Sequence, residues 1–147
     1  MGTLKFPWIL RAIDAKTGRQ VFAPMLPVGF KRDGKFMSVN PTILVDTGAD
    51  GTVLHMEHAA NFGFDQGDLV EETYNSVGGP TPLWAPKNPG LLEIQIGTGW
   101  HPLPSLKFGQ APMSILGRDV IFNRFELHMT PGEFEFIRLP RPATAAR

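Results

Sequence analysis

Short runs of Val, Ile, Leu and Phe alternate along this chain with Gly, Pro, Asp and Asn, and that spacing predicts many short strands joined by turns, as in a sandwich or barrel. A first strand is expected over residues 5–14, a turn at Lys16-Thr17-Gly18 and a second apolar segment over 20–31. Asp33-Gly34 suits a type I′ hairpin turn, whose two central residues both take positive φ, with residues 35–39 as the returning strand. Residues 42–45 are β-branched-rich and too short for a helix, so they read as a buried strand running straight into Asp46-Thr47-Gly48. A strand at 52–54 leads into residues 55–62, the best local helix composition in the chain, with Gly63 placed to end it. Residues 70–77 and 81–85 flank Gly78-Gly79 as a second hairpin. Over 91–96 the pattern alternates, with Leu92, Ile94 and Ile96 on one face. A short strand at 114–116 stops at Gly117, Asp119 is expected to cap a helical turn through Asn123, and 125–129 with 133–139 close a hairpin around Pro131-Gly132.

Composition supports this picture and narrows the partners. With 16 Gly and 14 Pro among 147 residues, helices are interrupted repeatedly, and the length suits one domain with a real core. Fourteen basic side chains balance fourteen acidic ones without a Lys/Arg cluster, which argues against a nucleic-acid partner. The longest apolar stretch, 21–30, is broken by Pro24, Pro27 and Gly29, so no membrane-spanning helix is expected. The N-terminus lacks the long apolar core of a signal peptide, and a cytoplasmic location is the corresponding expectation. Cysteine is absent, which excludes disulfides, thiolate catalysis and cysteine-bound zinc.

Candidate chemistry centres on Asp46-Thr47-Gly48. A strand end presents a carboxylate, the Thr hydroxyl can tie down nearby backbone, and Gly admits a second chain closely. The tripeptide alone fits equally an Asx-turn at a strand end. His55-Met56-Glu57-His58 offers two His on one helix face, but the spacing matches no zinc motif and no third ligand is identifiable, so no metal is assigned. Trp8, Trp84 and Trp100 read as core or interface aromatics.

In its setting, the segment Ile43-Leu44-Val45-Asp46-Thr47-Gly48-Ala49-Asp50-Gly51-Thr52-Val53-Leu54 resembles the active-site segment of retropepsins, the retroviral-type aspartic proteases. Ser76-Val77-Gly78-Gly79 resembles their flap tip. The run from Ala111 through Met113, Ile115, Gly117 and Arg118 to Ile121 resembles the strand and short helix behind the catalytic loop. The resemblance spans residues 35–139; residues 1–34 have no obvious retroviral counterpart and are expected to be strands of the same domain or a pro-segment, and 140–147 a flexible tail. A cellular or bacterial single-domain member is implied. Pro80, directly after the flap glycines, departs from the retroviral pattern and should bias Gly79 towards an extended conformation.

The resemblance implies an all-β, closed, barrel-like fold with one or two short helices. It also implies a two-fold homodimer, because the chain carries one Asp-Thr-Gly where the chemistry needs two carboxylates. The implied activity is endopeptidase cleavage of extended polypeptides with apolar side chains flanking the scissile bond, without metal or cofactor. Asp46, Thr47 and Gly48 would form the catalytic triplet: Asp46 would be the catalytic carboxylate, Thr47 would hydrogen-bond across the dimer axis and hold the two loops fixed, and Gly48 would offer a polar group to the substrate backbone. Ala49, Asp50, Val53, Val77, Gly78, Gly79, Met113 and Ile115 would contact substrate, and Arg118 would hold Asp50 in a structural role. The alternative is a catalytically silent dimeric module of the same fold that binds extended peptides.

Overall fold

The computed structural model describes residues 2–76, 78–111 and 113–140. In chain order the strands are β1 (Thr3–Pro7), β2 (Ile9–Ile13), β3 (Gln20–Ala23), β4 (Met25–Pro27), β5 (Gly29–Arg32), β6 (Lys35–Phe36), β7 (Thr42–Val45) and β8 (Thr52–His55). A 3-10 helix Met56–Phe62 and a 3-10 turn Gln66–Asp68 follow. Then come β9 (Leu69–Ser76), β10 (Gly79–Pro86), β11 (Leu92–Ile96), β12 (Gly99–Pro102), β13 (Leu106–Gly109) and β14 (Ile115–Leu116). Helix α1 (Arg118–Arg124) and the hairpin β15 (Phe125–Thr130) and β16 (Glu133–Arg138) end the described chain.

The chain is mostly β, but its strands do not close into the expected barrel. They form a seven-stranded sheet in the order β4-β7-β14-β8-β13-β10-β9, a four-stranded sheet β12-β11-β5-β6, a three-stranded sheet β1-β16-β15 and the hairpin β2-β3. Closure requires the outermost strands of one sheet to bond each other. Here β4 and β9 stand at opposite ends of the large sheet, and the chain leaves it at prolines and glycines to build the others. The expected strand over 5–14 is split in this way: after Pro7, β1 pairs with β16 while β2 turns to β3, and Trp8 N–H donates to the Gly132 carbonyl at 2.9 Å. The apolar segment 20–31 divides into β3, β4 and β5 at Pro24 and Val28, and the Pro24 carbonyl accepts from Val45 N–H at 2.8 Å.

Local turn chemistry otherwise acts as its residues dictate. Asp33 (φ 52°) and Gly34 (φ 79°) both take positive φ between paired Arg32 and Lys35. Gly63 (φ 83°) ends the helix after Phe62, which is a 3-10 helix rather than an α-helix. Asp119 is not the cap of α1; Gly117 holds that place and the Asp119 carboxylate is bound elsewhere. Strands β12 and β13 are not anticipated by the local pattern, because Pro102 and Pro104 interrupt it and β13 forms by parallel pairing with the distant β8.

Two aromatic clusters fill the core. Phe62 lies edge-on to Phe30 and Phe108 at 5.3 and 5.9 Å, with Phe64 stacked on it, and the Arg32 guanidinium sits 4.1 Å above the Phe64 ring. Phe125, Phe134 and Phe136 form the other, with Phe6 stacked on Phe134 at 5.3 Å. His101 is buried in this second cluster, its ring 4.8 Å from Phe125 and its Nδ1 without a hydrogen-bond partner among the described residues. Burial, reinforced by the charges of Arg138 and Arg124, lowers its pKa from 6.5 to about 4.

Strand β14, paired with β7 and β8, ends at Gly117, where two backbones approach closely. Built on Gly117, a Cβ would lie 2.5 Å from the Gly51 carbonyl carbon and 2.9 Å from its Cα, with backbone rather than a yielding side chain in the way. Gly117→Ala should therefore cost about 3 kcal/mol of folding stability, read as a lowered denaturation midpoint. A midpoint equal to wild type would show that the two backbones separate freely. A second expectation concerns His101. An unfolded chain takes up a proton near pH 6.5 that the folded chain refuses until about 4, so stability falls as the pH drops through that window. The loss amounts to at most about 3 kcal/mol. His101→Phe should flatten the profile of melting temperature against pH over that range, and coincident profiles would refute the assignment.

Candidate active site

The site is built at the end of β7. Ile43 and Val45 point into the core while Leu44 lies on the opposite face. Beyond Val45 the chain leaves the sheet at Asp46, whose N–H donates to the Leu116 carbonyl at 3.0 Å and whose carbonyl accepts from Ala49 N–H at 3.2 Å. Asp46 Oδ1 accepts from Gly48 N–H at 2.9 Å, an Asx-turn that fixes the carboxylate within its own loop. Asp46 is half-buried; Thr47 and Gly48 are exposed.

Residues after β14 grip this loop from behind. Arg118 N–H donates to the Ala49 carbonyl at 2.9 Å and Asp119 N–H to the Asp50 carbonyl at 3.2 Å. Fully buried Thr52 donates its hydroxyl hydrogen to Asp119 Oδ1 at 2.9 Å and accepts from Gly117 N–H at 3.2 Å, so one side chain binds both segments. Asp119 Oδ2 is buried without a partner among the described residues. Burial raises the Asp119 pKa, and the hydrogen bond from Thr52 opposes that rise. At the loop surface the Arg118 guanidinium pairs with the Asp50 carboxylate, whose side chain is 89% exposed.

Sheet register shows which candidates share a face. Val53 stands opposite Ile115 and Lys107, and Ile115 also opposite Leu44, so these side chains line the face turned away from the core. Leu83 extends that face beside Gly109, where a Cβ would meet Leu83 Cδ2 at 2.9 Å and Val53 Cγ1 at 3.2 Å. Met113 is half-buried in the segment entering β14. Gly78 lies in the turn between β9 and β10, Gly79 opens β10, and Val77 lies outside the described residues. Gly79 stands in the ladder opposite Ser76 as the first residue of β10, within the extended hairpin expected from Pro80 but at a positive φ of 106°, and Pro80 stands opposite Asn75. Only glycine adopts that φ readily, so the turn is specified at Gly79.

Thr52, Asp119, Leu83 and Lys107 are the site residues that sequence reading missed. For Thr52, between Gly51 and Val53, and Asp119, between Arg118 and Val120, no local pattern marks them, and their bond joins residues sixty-seven apart; Leu83 and Lys107 meet only once β8, β13 and β10 are adjacent. The two His of 55–58 both approach Glu57, at 3.9 and 3.7 Å, and among the described residues no three His, Asp or Glu gather as a metal site. No helix among them is long and apolar enough to cross a membrane.

No family model matches this chain, and no curated protein matches it in sequence. Among solved structures it is similar to a retropepsin-like aspartic protease from Rickettsia conorii, with a TM-score of 0.58 and 17% identity over 92% of this chain and 98% of that one. The likeness is one of fold: the chain is mostly β and has a retropepsin-like structural neighbour.

Proposed function

We propose that this chain is one half of an aspartic endopeptidase, completed by a second copy across a two-fold axis. The observation that carries the reading is the Asp46 loop: a half-buried carboxylate at a strand end, fixed by Gly48 N–H and backed by the Thr52–Asp119 bond. Within one protomer the neighbouring acids are committed elsewhere, Asp50 to Arg118 and Asp119 to Thr52, so the second carboxylate must come from another chain.

In such a dimer the two Asp46 carboxyls share one proton. The ionised carboxylate takes a proton from water, whose oxygen attacks the scissile carbonyl carbon, while the protonated partner gives its proton to the carbonyl oxygen. Collapse of the tetrahedral intermediate returns a proton to the departing amide nitrogen, and the C–N bond breaks. Thr47 holds the two loops together across the axis. Gly48, Ala49 and Asp50 present polar groups to the substrate backbone, and the hairpin turn with Val77, Gly78 and Gly79 covers it. Val53, Met113 and Ile115 line the side-chain pockets, and Arg118 orders Asp50. Residues 1–34 belong to the same domain on this reading, because β1 is paired with β16 and β4 with β7. No metal or cofactor takes part.

Asp46→Asn keeps the shape of the loop and removes the acid–base pair, so kcat on a cleaved peptide should fall by about a thousandfold or more while sedimentation still shows the dimer. Residual activity near wild type would sink the mechanism. Because neither protomer holds a complete site, specific activity should fall on dilution in step with the dimer fraction. A monomer fully active at nanomolar concentration would contradict the reading, and stoichiometric peptide binding without turnover would favour the silent module. The profile of kcat/KM against pH should be bell-shaped, since the pair works with one proton and fails with none or two.

A further inference from the structure

The open face of the seven-stranded sheet is not uniformly apolar. Beside Val53 and Leu83 it carries Lys107, paired in register with Val53 and only 19% exposed along its side chain. The Lys107 ammonium lies 3.1 Å from Glu72 Oε2 and 5.5 Å from the Tyr74 ring, and Tyr74 O–H donates to the same Glu72 oxygen at 3.0 Å. Glu72 and Tyr74 belong to β9, the outer strand of the hairpin, so Lys107 reaches across β10 to meet them. Burial disfavours the ammonium ion, yet the hydrogen bonds to Tyr74 and Glu72 outweigh it and hold the Lys107 pKa above its ordinary value. The cation is therefore a permanent feature of this wall at any working pH.

We propose that Lys107 is a specificity-determining residue that offers its ammonium group to a substrate side chain ending in an acceptor oxygen, a carboxylate above all, on the part of the open face beside Leu83. The inference rests on the endopeptidase reading and adds one acidic position to an otherwise apolar preference. Its physical basis is the unequal exposure of the pair. Glu72 is 39% exposed and can turn its carboxylate to water at small cost, whereas Lys107, 19% exposed, is the more buried partner. A substrate carboxylate then replaces Glu72 on the ammonium and the local charge stays balanced. An apolar side chain leaves the Lys107–Glu72 pair in place and desolvates it without recompense, and a substrate cation meets the ammonium as a like charge.

The test is a peptide library randomised around the scissile bond, cleaved at pH 6, where a substrate Glu is ionised. Wild type should favour Glu or Asp at one position by about tenfold in kcat/KM over Leu, and disfavour Lys there. Lys107→Met should invert that position to Leu or Met, Lys107→Arg should keep the acidic preference, and Glu72→Gln should strengthen it. Melting temperatures of the variants are compared with wild type, and a variant that fails to fold leaves Lys107→Arg and Glu72→Gln to decide. Cleavage with an unchanged profile in Lys107→Met, or a wild-type preference for Lys at every flanking position, would overturn the subsite and leave the endopeptidase reading intact. Absence of any cleavage by wild type would overturn the endopeptidase reading and the subsite with it.

Discussion

Strand β14, paired with both β7 and β8, ends at Gly117, whose lack of a side chain lets its backbone meet that of Gly51, and that close approach constrains the loop in front of it. Once the two backbones touch, Leu116 is placed to receive the Asp46 N–H, Gly117 to bond Thr52, and the first residues of α1 to bond the carbonyls of Ala49 and Asp50. The loop that carries the acid is thus held at Asp46, Ala49, Asp50 and Thr52 by one neighbouring segment. A loop so held loses its conformational freedom during folding.

The back of that grip is knit together by hydrogen bonds through Thr52. Thr52 is fully buried, gives one hydrogen bond and takes another, and brings β8 and α1 to the same point. Asp119 is the exception, since one of its oxygens is buried without a partner among the described residues. A carboxyl group left half-satisfied in a buried position works against folding when ionised, so its presence is a strain that the surrounding hydrogen bonds must outweigh.

Much of this was legible where a feature is local. Asp33-Gly34, Gly63 and the alternation of Leu92, Ile94 and Ile96 state their turns and faces outright, because positive φ and a period of two are properties of a few adjacent residues. The strand 42–45 and the acid at its end were equally plain. What escaped is non-local. The parallel pairing of β13 with β8 joins residues more than fifty apart, and only then does Lys107 come to stand beside Val53. Asp119 illustrates the same limit: an aspartate before an apolar helical turn is a good cap by propensity, and it was drawn away by a threonine sixty-seven residues earlier. The barrel expectation failed for a related reason, since strand count and turn spacing say nothing of whether the outer strands bond one another.

The front of the loop has the opposite character to its back. Thr47 and Gly48 are exposed, Asp50 is 89% exposed, and Arg118 is 48% exposed, so their ion pair stands in water. Pairs of that kind contribute at most about 1 kcal/mol, because solvent screens the attraction and two flexible side chains must be held. Stability of the single chain therefore gives little reason for the pairing. On the dimer reading the reason changes: a second copy covering the loop would remove water from the pair, and an unpaired Asp50 would then carry a desolvation cost of several kcal/mol. Arg118 would matter in proportion to how far the loop is covered. Order at the carboxylate and association of the two chains would then be one equilibrium, with the rigid base formed within each protomer and the open face completed between them.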